Sequence, residues 1–269
     1  MDFRFDHVVH FTNNPESAID KMNDLGFHAL LGGQHQDWGT YNGLCHFDLS
    51  YIEYIGVEDI NKAESVLDNF LIKQIVAEKN SGEGLSRIAL RTNNIEQAGE
   101  WFHKKGLSVK GPVKGSRKRA DGSLLEWSML FIEDPESDPY HLPFIIDWKQ
   151  TDEERRNSLI NQHIIDRHLA GDARLSHVGI AVKDIEKSVS KWKEWFNLKN
   201  HQIIFNEQLN AKYCRLHLKG TNLVLCSPTG DGILADTLKN RGERPFLIKI
   251  SGANIEKQIE LSGGLYILD

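Results

Sequence analysis

The stretch Phe5-Asp6-His7-Val8-Val9, followed by Asn14-Pro15, sets a pattern to which the chain returns. It reads as a short apolar strand, a polar corner and the first turn of a helix. Related openings stand at Leu85-Ser86-Arg87-Ile88-Ala89, Leu175-Ser176-His177-Val178-Gly179 and Pro245-Phe246-Leu247-Ile248-Lys249. Seven residues after the third position of each come Asn14, Asn94, Asp184 and Asn254. Asn and Asp are favoured helix N-caps because a side-chain oxygen accepts a hydrogen bond from an orphan amide of the first turn. Pro15 suits the first helical position, where its missing N–H costs nothing, and Gly26 and Gly106 suit helix ends. Four strand-to-helix corners are expected.

Runs rich in β-formers follow the first three corners, at 28–36, 40–48 and 51–57, at 109–118, 124–133 and 142–148, and at 201–207, 212–218 and 222–226. Each full copy therefore reads βαβββ. The fourth has a strand near 246–251, a helix expected near 254–261, and only 265–268 before the sequence stops. Residues 151–170 are charge-rich and, with Leu159, Ile160, Ile164, Ile165 and Leu169 at helical spacing, predict a connecting helix with one packed stripe. Shorter helical connectors are expected near 60–78 and 233–240. The domain organisation read from this is 1–150 for two paired modules, 151–171 for a linker helix and 172–269 for a second, truncated domain.

Composition bounds what such a chain does. Its 269 residues, 40% hydrophobic and 26% charged with only 7 Pro, favour two compact units and exclude disorder and collagen-like structure. With 32 basic against 38 acidic residues the net charge is -6, which argues against a nucleic-acid partner or an anionic membrane surface. Small molecules are the expected ligands. Cys45, Cys214 and Cys226 are an odd set without a CxxC pair, so neither a disulfide framework nor a zinc ribbon fits, and reduced core thiols are expected. The N-terminal residues lack a basic start with an apolar run, and no stretch approaches the roughly 18 apolar residues of a membrane span. A cytoplasmic protein is the expectation.

Paired βαβββ modules with His on the opening strand resemble the vicinal oxygen chelate superfamily. The segment from Gly32-Gly33-Gln34-His35 through Gly39-Thr40-Tyr41-Asn42, with Asp6-His7-Val8-Val9 and Pro143-Phe144-Ile145-Ile146-Asp147-Trp148, is similar to its glyoxalase-like domain group. The resemblance implies an α+β fold in which tandem βαβββ modules pair into incomplete mixed β-barrels with the helices outside. It also implies a cavity able to hold a divalent metal ion, with a His and a Glu from each module. On this chain His7 and Glu53 take the first pair of ligand positions. Arg87 stands where the second His would be, and the closing strand of that module is apolar until Asp147. In the second barrel His177 takes the His position, but Leu223-Val224-Leu225 and Leu247 supply no further ligands, so no metal site is expected there.

A catalytic metal commonly keeps three protein ligands and an open position, so His7 and Glu53 alone are too few, and His35 or Asp147 would have to add a third. Arg87 has a reading of its own, because a planar guanidinium grips a carboxylate or enediolate with two parallel bonds; it could equally pair with Glu53. Glu53 and His35 are the candidate proton-moving groups, and Arg87, Asn42, Trp127 and Trp148 the candidate substrate-binding ones, with Trp38 and Tyr51 as further aromatic lining. Plainer roles compete: His7 as a hydrogen-bonded core residue, His35 and Asn42 as partners of the turn around Gly39, His177 as a structural residue. The basic run Lys114, Arg117, Lys118 and Arg119 beside Asp121-Gly122 reads as a solvated hairpin tip. No P-loop or GxSxG elbow is present. Two functions stay open: a lyase- or isomerase-type enzyme of the glyoxalase kind, and a non-catalytic small-molecule binding or sequestering protein of the antibiotic-resistance type. A third is an interaction protein that completes an open sheet edge on a partner, most simply a second copy in a homodimer.

Overall fold

A computed structural model describes residues 1–118, 124–136, 142–207 and 209–269. The first module runs β1 (Arg4–Phe11), α1 (Pro15–Asp24), β2 (Ala29–His35), β3 (Thr40–Phe47) and β4 (Ser50–Val57). The helices α2 (Ile60–Ser65) and α3 (Phe70–Glu78) lead to the second module, β5 (Gly84–Arg91), α4 (Ile95–Lys104), β6 (Ser108–Lys118), β7 (Leu124–Glu133) and β8 (Phe144–Asp147). After α5 (Asp152–Asn161) comes a third module, β9 (Gly171–Ala181), α6 (Ile185–Phe196), β10 (Lys199–Asn200), β11 (Ile204–Asn206), β12 (Ala211–His217) and β13 (Asn222–Pro228). The last elements are α7 (Ile233–Arg241), β14 (Pro245–Ala253), β15 (Lys257–Leu261) and β16 (Gly264–Leu268).

Two curled mixed sheets result, with strand orders β2-β3-β4-β1-β5-β8-β7-β6 and β10-β12-β13-β9-β14-β16-β15, β11 adding to β12. In each, the opening strands of two modules pair antiparallel at the centre and each closing strand returns parallel to its own opening strand. The sheets are half-barrels, as the α+β reading requires. Three of the four corners are capped as expected: Asn14 accepts from the Ser17 amide, Asn94 from Gln97 and Asp184 from Lys187, each at 2.9 Å.

The fourth corner corrects the sequence reading. No helix follows Asn254; residues 257–261 form β15, so the last module has three strands and no helix rather than a helix and two strands. Ser262 and Gly263 both have positive φ, 44° and 71°, and join Leu261 to Gly264 in a tight hairpin whose twist suits paired strands. The turn fixes a strand pair over residues that a helix would otherwise have claimed. The linker helix is also shorter than expected. A capping box of Thr151 and Glu154 starts α5, which ends at Asn161, and Leu169, expected on its packed stripe, is 87% exposed. The expected 119–123 hairpin tip, with Arg119, Asp121 and Gly122, lies outside the described residues.

The main core joins both sheets. Phe3 stacks on Phe102 at 5.1 Å, Phe102 meets Phe196 at 5.4 Å, and Trp101 donates to the Trp195 carbonyl across the α4–α6 contact. Smaller apolar clusters line the concave face of each sheet. Cys45, Cys214 and Cys226 are buried free thiols, and no helix of the described residues is long and apolar enough to cross a membrane.

Candidate functional site

The concave face of the first sheet holds the candidate site. On β4, Tyr51, Glu53 and Ile55 alternate toward a cavity while Ile52 and Tyr54 turn to the shared core. The parallel register sets Tyr51 opposite His7 and Glu53 opposite Val9, which aims His7 and Glu53 at the same space. Free room in the cavity is about 60 Å³, and Trp38, Trp127 and Trp148 wall it with ring centroids 5.5 to 5.9 Å apart.

A chain of polar contacts runs through it. Glu53 is 7% exposed and accepts from the Asn42 amide at 2.6 Å, while its other oxygen lies 3.5 Å from His7 Nε2. His7 Nδ1 is 2.7 Å from an Asp6 carboxylate oxygen, and the second Asp6 oxygen accepts from Trp148 Nε1 at 3.0 Å. Neighbouring strand residues ordinarily point to opposite faces. Here the β1–β5 register breaks between Phe5 and His7, and the irregularity lets Asp6 and His7 meet as a bulge does. Burial opposes the charge on Asp6, yet the His7 hydrogen bond and the nearby Arg155 and Arg91 hold its pKa below the ordinary carboxylate value. An ionised Asp6 only accepts, so His7 Nδ1 carries the hydrogen and Nε2 faces Glu53.

Gly32 explains part of the glycine pair. A Cβ there would sit 2.2 Å from Asn42 Oδ1, so the missing side chain is what leaves room for the amide that holds Glu53. Gly33 has φ +128°, a conformation L side chains rarely adopt. His35 Nδ1 lies 3.0 Å from Thr40 Oγ1; burial foremost, opposed by Glu53 and reinforced by Arg117, pushes its pKa down to about 4. It is a neutral imidazole at neutral pH.

Arg155 is the residue that sequence reasoning missed. It comes from α5, is only 4% exposed, lies 3.6 Å over the Trp148 ring and faces Asp6 and Tyr51, with its Nε buried without a partner. Burial pushes its pKa down, and Asp6 and Tyr51 oppose that. No spacing signal marks it, because a single inward Arg on a polar helix looks like its solvated neighbours. Arg117 and His46 also border the cavity. His46 stacks on Tyr51 at 4.4 Å, while adjacent Cys45 turns into the shared core, as strand alternation requires.

The cavity thus gathers His7, His35, Asn42, Glu53, Trp127 and Trp148. It does not gather Arg87, which was expected to anchor substrate. Arg87 pairs with Val9, two residues beyond His7 on β1; its Nε donates to the Leu142 carbonyl at 2.7 Å and its guanidinium lies over Phe131 rather than on Glu53. Asp147 is also committed elsewhere, with one oxygen on the Lys149 ammonium and the other on the Lys149 amide, both at 2.9 Å.

The register tests the donor set for a divalent ion. Glu53 lies opposite Val9, and by the repeat the equivalent pair in the second module is Ala89 and Phe144. That module therefore offers Arg87 and Phe144 where a His and a Glu would be needed. Among the described residues no three His, Cys, Asp or Glu groups are placed to hold a metal, and two buried-site donors beside a guanidinium do not fit one.

Comparison with known proteins agrees with this architecture. Residues 5–196 match the model of a family described as glyoxalase-like domain. No curated protein matches the sequence. A crystal structure of a hypothetical protein from Staphylococcus aureus is similar over 99% of each chain, with a TM-score of 0.78 and 23% identity. A triple mutant of 4-hydroxymandelate synthase from Streptomyces coelicolor is similar over 96% of this chain and 72% of its own, with a TM-score of 0.58 and 10% identity. At these identities the likeness is one of fold.

Proposed function

The chain belongs to the glyoxalase-like domain family, within the vicinal oxygen chelate superfamily, and from that premise we propose that its first sheet binds a small anionic, enolisable molecule and moves a proton on it. The observation that carries this reading is a buried carboxylate, Glu53, held by Asn42 and His7 in an aromatic cavity beside the buried Arg155 cation. Ionisable side chains are seldom buried this deeply unless they are paired or functional. Arg155, not Arg87, takes the anionic oxygen of the ligand. Its neighbouring carbon acid gives a proton to Glu53, and His7 Nε2, steadied through Nδ1 by Asp6, takes that proton from Glu53 and returns it to the enolate carbon. Neutral His35 is the donor for the enolate oxygen. No step is routed through a metal.

The test is proton exchange in D2O, followed by NMR on a panel of small 2-oxo and 2-hydroxy acids. Wild type should wash deuterium into the carbon position of at least one, Glu53→Gln should bind it without exchange, and Arg155→Met should lose binding. Exchange that persists in Glu53→Gln would overturn the reading. A second reading, sequestration without chemistry, is favoured by the wall of Trp38, Trp127 and Trp148. It predicts saturable binding with no exchange in any protein. The misfit of His7 and Glu53 to a divalent ion has its own check: a stoichiometric ion in protein purified without chelator, lost in His7→Ala, would overturn it.

For partners, we propose a second copy alongside β15, an end strand of the second sheet that among the described residues pairs only with β16. Sedimentation at high concentration should show a dimer, and a strict monomer counts against it. The buried free thiols suit a reducing compartment such as the cytoplasm.

A further inference from the structure

The concave face of the second sheet encloses a cavity of its own, of about 350 Å³. Strand alternation builds its polar side. On β12, Tyr213 and Arg215 face inward while Cys214 and Leu216 join the shared core, and on β9 and β14 His177 and Lys249 are direct cross-strand partners. Arg215 lies opposite Val224, which in turn lies opposite Gly179, two residues along β9 from His177. Two cations and an imidazole therefore share neighbouring rungs.

Their state points to a ligand. The Arg215 guanidinium has no ion pair or hydrogen bond among the described residues, and it is half-buried. His177 Nδ1 is buried without a hydrogen-bond partner. Burial, then Arg215 and Lys249, push the His177 pKa down to about 4, so both cations face a neutral ring. Lys249 is paired with Asp269, and Asp231 is the carboxylate on the cavity's exposed rim. The start of α7 opens onto the same space. Gly232 caps it with no side-chain hydrogen bond, and Gly232 and Ile233 border the cavity, so first-turn amides add donors and a partial positive charge.

This cup differs from the first at the position of the carboxylate and at those of its cations. Val9 faces Glu53 in the first sheet, and the equivalent Gly179 faces Val224 in the second. It lacks the base, and its cations Arg215 and Lys249 stand where the first sheet has Leu44 and Ala89. We propose that the second sheet carries a separate, non-catalytic site for a small molecule bearing a carboxylate or phosphate group, with Arg215 and Lys249 as charge partners and the α7 amides as further donors.

The experiment is calorimetric titration of the full chain with inorganic phosphate and, separately, with succinate. One probe should saturate at one equivalent; preference for phosphate assigns a phosphate ester and preference for succinate a carboxylate. Arg215→Met should weaken binding by about tenfold or more, Arg215→Lys by less, and Glu53→Gln not at all. Amide resonances of Gly232 and Ile233 in the wild-type chain should shift on titration, a readout that needs no variant to fold. No saturable uptake of either probe, or no shift at those amides, overturns the proposal. An isotherm lost in Arg155→Met but intact in Arg215→Met overturns it too, by placing the anion in the first cavity.

Discussion

Gly32 and Asn42 occupy space that one methyl group would contest. Gly32→Ala would drive a Cβ into Asn42 Oδ1 and the Leu44 side chain, turning the amide off Glu53. We expect weakened ligand binding with a loss of stability of about 1–3 kcal/mol, the usual cost of overpacking, and a crystal structure of the variant with Asn42 unmoved would refute it. Titration gives a second prediction. His10 and His35 are buried neutral, with pKa values pushed down by burial from 6.5 to about 4, and His46 further, to about 3. Each binds its proton more readily unfolded than folded. Stability from these rings is therefore full above pH 6.5 and falls as the pH drops toward 4, by about 1.4 kcal/mol per pH unit for each ring inside its window. Urea denaturation at pH 7, 6 and 5 should show the decline, and a constant midpoint would sink it. At this scale the repeat marked the position of His7 and the family resemblance that of Glu53, and the two do line one cavity. The sequence was silent on Asp6, which reaches His7 only because the register breaks beside it, and on Arg155, which arrives from an element outside the repeat.

Elements were legible where local chemistry and long-range pairing agree. Asn14, Asn94 and Asp184 cap helices because each is followed by residues whose apolar face packs on a sheet, as Ile95, Ala98 and Phe102 do on α4. Asn254 has the same letter and offset but is followed by Ser262-Gly263, whose turn pairs two strands, and pairing with β14 through β16 rewards the extended form. A cap residue permits a helix and does not compel one. The difference is measurable. Asn94→Ala should cost about 0.5–2 kcal/mol by denaturant unfolding, whereas Asn254→Ala removes no cap bond and should fall below that range. Equal losses at both positions would mean that the Asn94 cap bond does not account for the difference between the two corners. Arg87 teaches the same lesson on a strand: the repeat gave its position, but carbonyls at Leu142 and Ile132 captured its guanidinium.

The whole molecule raises the question of how separate its two sheets are. Length and repeat suggest domains at 1–150 and 172–269, and each half does carry a concave face with its own apolar cluster. The larger core ignores that boundary. Phe102, fully buried on α4, lies between Phe3 near the N-terminus and Phe196 at the end of α6, and Glu78 of α3 binds both Arg241 and Arg244 from the other half. Burying that carboxylate is tolerable only while the two guanidinium groups stay in place, so separating the halves would strand a charge as well as expose aromatic surface. We therefore expect one cooperative thermal transition for the full chain. Phe102→Ala, which removes about 3–5 kcal/mol of buried contact, should lower the melting of signals from both halves together, read by near-ultraviolet circular dichroism for the Trp127 cluster and by hydrogen exchange for β12 to β16. If the second sheet instead kept its exchange protection while the first melted, the halves would be independent domains that merely touch. A fragment of residues 1–150 would then fold alone, where a shared core predicts that it does not.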